Sequence, residues 1–388
     1  MTGKPSTYEA IGGTAGCRGL SVAFYARVER DPVLRPLFPG KTFKCAIEEF
    51  AAFLVQFLGG PGDDAQRRWW LSLRESHLRF KIGQRERSAW IANMVLALND
   101  VHIEEPLRSV LLGFFERSSA YVVNHGEAPT IEGGRCGAPS RGMGEEISRR
   151  WDAQTGLDEV VAAISSGDTK RAIALVEGPA VKTCGRSVLS GLLARMVRSE
   201  QSELLDYVRS KLTGDPTLAQ ECYAARTLLH NAAAAGTLAT VELLLSLGAD
   251  PNVLDGGCHT PLYYVGNECA VEGAGRVVRA LVQAGADVDA HDGVKRCTAL
   301  HMAARRGNVE VAEALLDCGA DLEARDSVGE TPLRRSVNCN KVEVAALLLA
   351  RGADIYSIGS KGVTTLLAAR SVAMKQLLQN TANGRSRS

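Results

Sequence analysis

Net charge is almost absent from this sequence of 388 residues: 45 Lys and Arg stand against 44 Asp and Glu, a formal balance of +1. Nucleic-acid binders usually carry a basic excess, so that class of partner is not expected. Nowhere do 18 apolar residues run together, which argues against a membrane-spanning helix. The opening MTGKPSTYEAIGG has no apolar stretch, so it does not read as a secretory signal. Ten cysteines occur without one CxxC pair, and they read as reduced, mostly buried thiols rather than a disulfide framework. A cytoplasmic protein is the expectation. Nucleotide fingerprints are missing too. IGGTAG at 11–16 is glycine-rich, but no strand precedes it and no suitably placed acid follows, so it reads as a turn. Cys258, His259 and Cys269 lack the spacing of a zinc site.

What the chain does contain falls into zones, and its length alone suggests two or three domains. Residues 1–123 are rich in helical periodicity. Residues 124–150 carry six glycines and two prolines with few apolar anchors, the composition of a flexible linker. Beyond it a repeat emerges. TLLHNAAAAG, TPLYYVGNE, TALHMAARRGN, TPLRRSVNCN and TTLLAAR start at 227, 260, 298, 331 and 364, spacings of 33, 38, 33 and 33. An LGAD, AGAD, CGAD or RGAD turn closes each of the first four units. Proline suits the first helical position, where its missing N–H is no loss. Glycine supplies the left-handed residue that ends a helix. Two short helices cannot bury their faces alone, so such units stack.

This period and motif resemble the ankyrin repeat. His230 and His301 keep the histidine that usually follows the leucine, and are expected to be structural hydrogen-bonders; Tyr263, Arg334 and Leu367 replace it. Five extra residues near NECAVEGAGR predict a longer loop. The helix pairs expected at 157–177 and 188–212 lack the motif, so 151–222 reads as degenerate repeats capping the stack. Residues 223–388 form the repeats proper, with a C-terminal cap and a short disordered tail. On the fingers between repeats, Asp255, Asp287, Asp289, Asp292, Asp321, Glu323, Asp326 and Glu330 outnumber Lys295, Arg296 and Arg325. That acidic excess would repel phosphate backbones, leaving a protein as the expected partner.

In the N-terminal part, CAIEEFAAFLVQFL at 45–58 sets Ala46, Phe50, Phe53, Leu54 and Phe57 on one helix face. WIANMVLAL at 90–98 does likewise with Ile91, Met94, Val95 and Leu98. Pro106 opens a further helix, and an earlier one runs over about 15–30 to Asp31-Pro32. One histidine, His77, stands in LRESHLRFKIG at 73–83.

YEAIGG at 8–13, FYARVERDPVLRPLFP at 24–39, FLVQFLGGP at 53–61, LRESHLRFKIG and ERSAWIANM at 86–94 together resemble a truncated haemoglobin of the second group, over about residues 8–122. The fold class this implies is all-α: a two-over-two helical sandwich, followed by an α-solenoid of ankyrin repeats. The implied cofactor is haem b (iron protoporphyrin IX). His77 becomes the axial ligand, which must be a neutral imidazole. Its second ring nitrogen would be held by a backbone carbonyl near Leu73. Phe80 and Ile82 fall where the family packs the haem face. Tyr25 matches the distal tyrosine and Trp90 the tryptophan typical of the second group, a donor-only indole. Such donors stabilise a ligand that gains partial negative charge on binding. Phe38 stands where many relatives have tyrosine, Ala46 where ordinary globins have the distal histidine, and Phe50 as a bulky distal lid. Phe53 and Met94 complete the apolar wall. Lys81, Arg79, Arg67 and Arg68 are candidates to meet the propionates.

The function these resemblances imply is a gas sensor or carrier. The globin takes oxygen, nitric oxide or carbon monoxide, and the ankyrin surface takes a protein. The alternatives are a haem enzyme placed by its repeats, a nitric oxide dioxygenase or peroxidase reduced by another protein, and an ankyrin adaptor whose globin is a relic.

Overall fold

The computed structural model describes residues 6–61, 71–126, 143–359 and 362–385. Arg67, Arg68 and most of the expected linker, 127–142, lie outside the described residues. The chain divides into two compact units: Met1–Ala162 with Ala174–Cys184, and Ala163–Ile173 with Gly185–Ser388. Among the described residues the only strands are a hairpin pair, Cys222–Tyr223 and Arg226–Thr227.

The first unit is built from α1 (Thr7–Ala10), α2 (Gly13–Val28), α3 (Lys44–Leu58), α4 (Leu73–His77), α5 (Gln84–Asp100), α6 (Leu107–Tyr121) and most of α7 (Met143–Ser166). Helix α2 packs on α3 and α5, and α5 packs on α6. The layer closes where Phe53 and Phe57 of α3 meet Phe114 of α6, with ring centroids 5.8 and 5.3 Å apart. These are the residues that helical spacing places on the inner faces, and they are buried. Helix α3 stops at Gly59, whose φ of 94° only glycine adopts readily. Helix α2 ends at Val28, three residues short of the expected Asp31. Asp31 instead accepts from the amides of Val33 and Leu34 and tightens the following turn.

Helix α7 starts at Met143, within the stretch 124–150 expected to be a linker. Ile147, Trp151, Gln154 and Asp158 recur at spacings of four, three and four along one face. Ile147 is 1% exposed within the globin core. The Trp151 ring meets those of Phe57, Phe114 and Tyr121 at 5.3–6.1 Å. Arg150 Nη1 donates to Gln56 O at 2.6 Å, satisfying a carbonyl at the end of α3. Glycine content alone reads this segment as linker, but of its six glycines only Gly144 falls within α7.

In the second unit each repeat is a helix pair opened by threonine. Thr298 Oγ1 and the Thr298 amide both meet His301 Nδ1, while His301 Nε2 donates to Glu330 O at 3.0 Å, 29 residues on. His230 does the same with Thr227 and with His259 O, again 29 residues on, at 3.1 Å. These histidines therefore tie one repeat to the next, and burial pushes both toward the neutral form. Where Arg334 replaces histidine, its Nη1 reaches Val363 O at 3.0 Å, also 29 residues on. The substitution keeps the tie and changes only the donor. Gly248, Gly285, Gly319 and Gly352 of the GAD turns all sit at φ between 83 and 101°. The longer loop is present: Pro261–Glu268 and Ala274–Gln283 are separated by residues 269–273, where Ala299–Arg306 and Val309–Asp317 are separated by 307–308 alone.

Not all of the finger acids face solvent. Asp292, Asp326 and Glu330 are buried, and the Asp255 carboxylate is 6% exposed. Their oxygens cap the finger turns: Asp292 accepts from the amides of Lys295 and Cys297, Asp326 from those of Val328 and Glu330. Lys295, Arg296 and Arg325 are exposed. Half of the counted acids are therefore turned inward. The charge argument against nucleic acid weakens accordingly, because sequence counting cannot tell a capping aspartate from a solvated one.

Asp255 offers a test of the stack. Burial alone would raise its carboxyl, but the Tyr264 hydroxyl and the His259 and Gly257 amides outweigh it and hold it at about 2. A depressed carboxyl stabilises the fold above its ordinary value and loses that contribution as pH falls through the depressed one. Asp255→Asn should lower stability by about 1 kcal/mol near neutral pH, after discounting for solvent screening. The gap to the parent should close toward pH ~2. Unfolding curves followed by circular dichroism at several pH values read this, and a gap constant with pH would contradict it.

Candidate functional site

The lone histidine of the globin segment lies on the last turn of the short helix α4. Ser72 starts that helix: its backbone is extended, and its Oγ accepts from the Glu75 amide at 3.0 Å. One turn later, His77 Nδ1 lies 2.7 Å from Leu73 O. A carbonyl can only accept, so Nδ1 carries the proton and Nε2 keeps its lone pair. Ser76 Oγ donates to the same carbonyl at 2.7 Å. Among the described residues no hydrogen bond engages Nε2. Burial lowers the histidine's pKa, against the opposing pull of the Leu73 carbonyl and with help from Arg79, so the neutral ring is favoured.

From His77 a run of aromatic rings crosses the unit. Centroid separations are 6.3 Å from His77 to Phe80, 5.8 Å from Phe80 to Phe38, and 5.7 Å from Phe38 to Tyr25. They continue at 6.3 Å from Tyr25 to Phe50 and 6.1 Å from Phe50 to Trp90. Four segments thus bring their predicted site residues together. All six rings are half-buried, whereas Phe53, Met94 and Leu73 are buried behind them. Ala46 is half-buried on α3, and Ile82 is half-buried in the loop after α4. Among the described residues no hydrogen bond engages the Tyr25 hydroxyl or the Trp90 indole N–H. Burial, with Glu49 nearby, raises the Tyr25 pKa, so the phenol keeps its proton as a donor. Lys81 is exposed. The Arg79 guanidinium lies 4.7 Å over the Phe80 ring, a contact that already occupies it.

Two residues that hold this site escaped sequence reasoning. Asn124, the first residue of the expected linker, clamps the loop after α4. Its Nδ2 donates to His77 O at 3.1 Å and Phe80 O at 2.9 Å, while its Oδ1 accepts from the Ile82 amide at 3.0 Å. Asp158 meets the other end of α4. Neither carries a local motif. Both act across more than 40 residues of sequence, which no short window can show.

This arrangement fits a haem. It offers a neutral imidazole with one nitrogen fixed and the other free, half-buried aromatic rings that can face a flat apolar macrocycle, and two donors without a protein acceptor. His259 Nδ1 is 3.0 Å from Asp255 Oδ1, and among the described residues no group of three metal-binding side chains converges.

Comparison with known proteins agrees. Residues 6–124 match the bacterial-like globin family, residues 226–256 an ankyrin repeat, and residues 267–358 a set of three ankyrin repeats. The chain is 36% identical over 121 residues to the group 2 truncated hemoglobin YjbI of Bacillus subtilis (strain 168), covering 31% of this chain and 90% of that one. It is 28% identical over 107 residues to two-on-two hemoglobin-3 of Arabidopsis thaliana, covering 27% of this chain and 61% of that one. Membership of this kind carries haem and gas binding as its general implication. With the two-over-two helices, the fixed imidazole and a relative matched over nine-tenths of its length, the chain belongs to the truncated haemoglobins of the bacterial-like globin family, extended by ankyrin repeats.

Proposed function

We propose that this protein is a gas sensor or carrier in which haem b is held by His77 and the ankyrin stack binds a protein. The observation that carries the reading is the Leu73 carbonyl on His77 Nδ1 at 2.7 Å, which leaves Nε2 as the free base. When bound, the haem supplies an iron that takes oxygen, nitric oxide or carbon monoxide. The chain's own part is to orient the axial imidazole, exclude water with the ring cluster, and offer the Tyr25 and Trp90 hydrogens to a polar ligand. No helix among the described residues is long and apolar enough to cross a membrane.

The test is a set of absorption spectra of the purified full chain reconstituted with hemin, oxidised and reduced, under each gas. The expected result is one haem per chain and a distinct reduced spectrum with each ligand. A chain that takes up no haem would end the reading and leave an ankyrin adaptor. Sustained consumption of nitric oxide or peroxide with a reductant would select the enzyme instead. Sensing, as opposed to carriage, predicts that hydrogen exchange in the repeats differs between the reduced protein with and without carbon monoxide. Typical coupling of about 1–3 kcal/mol corresponds to roughly fivefold or more.

A further inference from the structure

The helix that follows the unassigned segment 127–142 makes a contact that a globin alone lacks. Asp158 of α7 is 4% exposed. Its Oδ1 accepts from Ser72 Oγ at 2.5 Å and from the Arg74 amide at 3.2 Å. Ser72 is the residue that starts α4, and its oxygen also accepts from the Glu75 amide. A single carboxylate oxygen thus ties down the hydroxyl that caps the His77 helix and one further amide of its first turn. Two neighbouring contacts hold the helix in register. The Arg74 guanidinium lies 4.4 Å over the Tyr121 ring, and its Nε donates to Tyr121 O at 3.3 Å. The same Tyr121 ring packs on Trp151, 5.3 Å away on α7.

Helix α4 has only five residues, Leu73–His77. A helix that short has no stability of its own in water, so its pitch and rotation come from what caps it. Asn124 holds its C-terminal end and Asp158 its N-terminal end. Leu73, whose carbonyl fixes the histidine ring, sits between Ser72 and Arg74, the two residues that Asp158 binds. Any rotation of that first turn moves the carbonyl and swings the imidazole with it.

We propose that Asp158 is a positioning residue for the axial histidine: through Ser72 and Arg74 it sets the rotation of α4 and so the direction in which His77 Nε2 points. The proposal rests on the haem reading above.

The experiment compares the full-length hemin-reconstituted protein with Asp158→Ala, Asp158→Asn and Ser72→Ala. Asparagine keeps an acceptor for Ser72 and Arg74, and alanine removes it. Three readouts are taken: the iron–histidine stretching band of the reduced protein by resonance Raman, the rate of haem loss to excess apomyoglobin, and amide exchange at residues 73–78 in the haem-free chain. Asp158→Ala should shift the band, speed haem loss about tenfold, at the low end for partners of a metal ligand, and expose the amides of 75–77. Asp158→Asn should restore the parent band and keep haem loss within about twofold of the parent. A merely structural role would lower the melting temperature in both variants and leave the band in place. A parent-like band and parent-like haem loss in Asp158→Ala would overturn the proposal. If the alanine variant does not fold, Ser72→Ala deletes the same bond from the other side and takes over its arm. Should the parent itself take up no haem, the haem reading fails separately. The exchange arm then decides, and unchanged protection of 73–78 overturns the proposal.

Discussion

Replacing His77 by alanine is expected to abolish haem retention by the full chain. Among the described residues of the globin unit the imidazole is the one whose tautomer is fixed by a backbone carbonyl, 2.7 Å from Nδ1, and whose second nitrogen meets no hydrogen-bond partner. The other histidine within the matched segment, His102, is exposed beyond the end of α5, so it cannot substitute. Losing a partner of a metal ligand costs about 10–100-fold in affinity. Losing the ligand itself should exceed the upper end, and the absorption spectrum should collapse to that of free hemin. His102→Ala should leave the spectrum unchanged. Addition of imidazole to His77→Gly should restore it, because the cavity left is the size and polarity of the missing ring. A His77→Ala protein with the parent's spectrum would remove this histidine from the site. The remaining histidines of the first unit would then need testing in turn.

Oxygen should leave Tyr25→Phe and Trp90→Phe about five to thirty times faster than the parent, the factor for one hydrogen bond of roughly 1–2 kcal/mol. Both donors stand without a protein acceptor among the described residues, and the Tyr25 phenol is held in its protonated form by burial. Phe38, 5.7 Å from Tyr25, is packed on it but has no hydroxyl, so these two side chains are expected to carry the polar stabilisation that a third donor would otherwise share. Carbon monoxide accepts hydrogen bonds poorly, and its release should change by less than about twofold. Stopped-flow displacement with each gas reads both rates. Equal acceleration for the two gases would show that the rings act as a steric gate. No acceleration in either variant would place the donors away from the ligand. The double variant is informative as well. Because both side chains pack against Phe50, at 6.3 and 6.1 Å, their effects are expected to be non-additive.

The repeats were legible because each contact in them is local or recurs at a fixed interval. The Thr-Pro start, the GAD glycine and the histidine tie at 29 residues all repeat, so five imperfect copies reinforce one another. Even Arg334, which breaks the pattern, keeps the same acceptor position. The globin helices were legible for a different reason. Wide aromatic faces at three- and four-residue spacing define α3, α5 and α6 without reference to anything else. His77 and its carbonyl are four residues apart, one helical turn, so that hydrogen bond could be expected from spacing once the resemblance had pointed to the histidine.

What the sequence by itself determined, then, is the class of helix, the repeat, the turn glycines and the identity of the lone candidate ligand, all of which depend on neighbours within a turn or on a period. Tertiary structure alone decided which acids face outward and which cap a turn, since a carboxylate's role follows from the amides folded over it. It also decided that the helix after residue 142 belongs with the globin helices, because the rings that Trp151 meets lie 30 to 94 residues away in sequence. And it decided which distant side chains hold the helix that carries the candidate axial histidine. A five-residue helix has little stability of its own, and Asn124 and Asp158, which bond its two ends, reach it only once the chain has closed on itself.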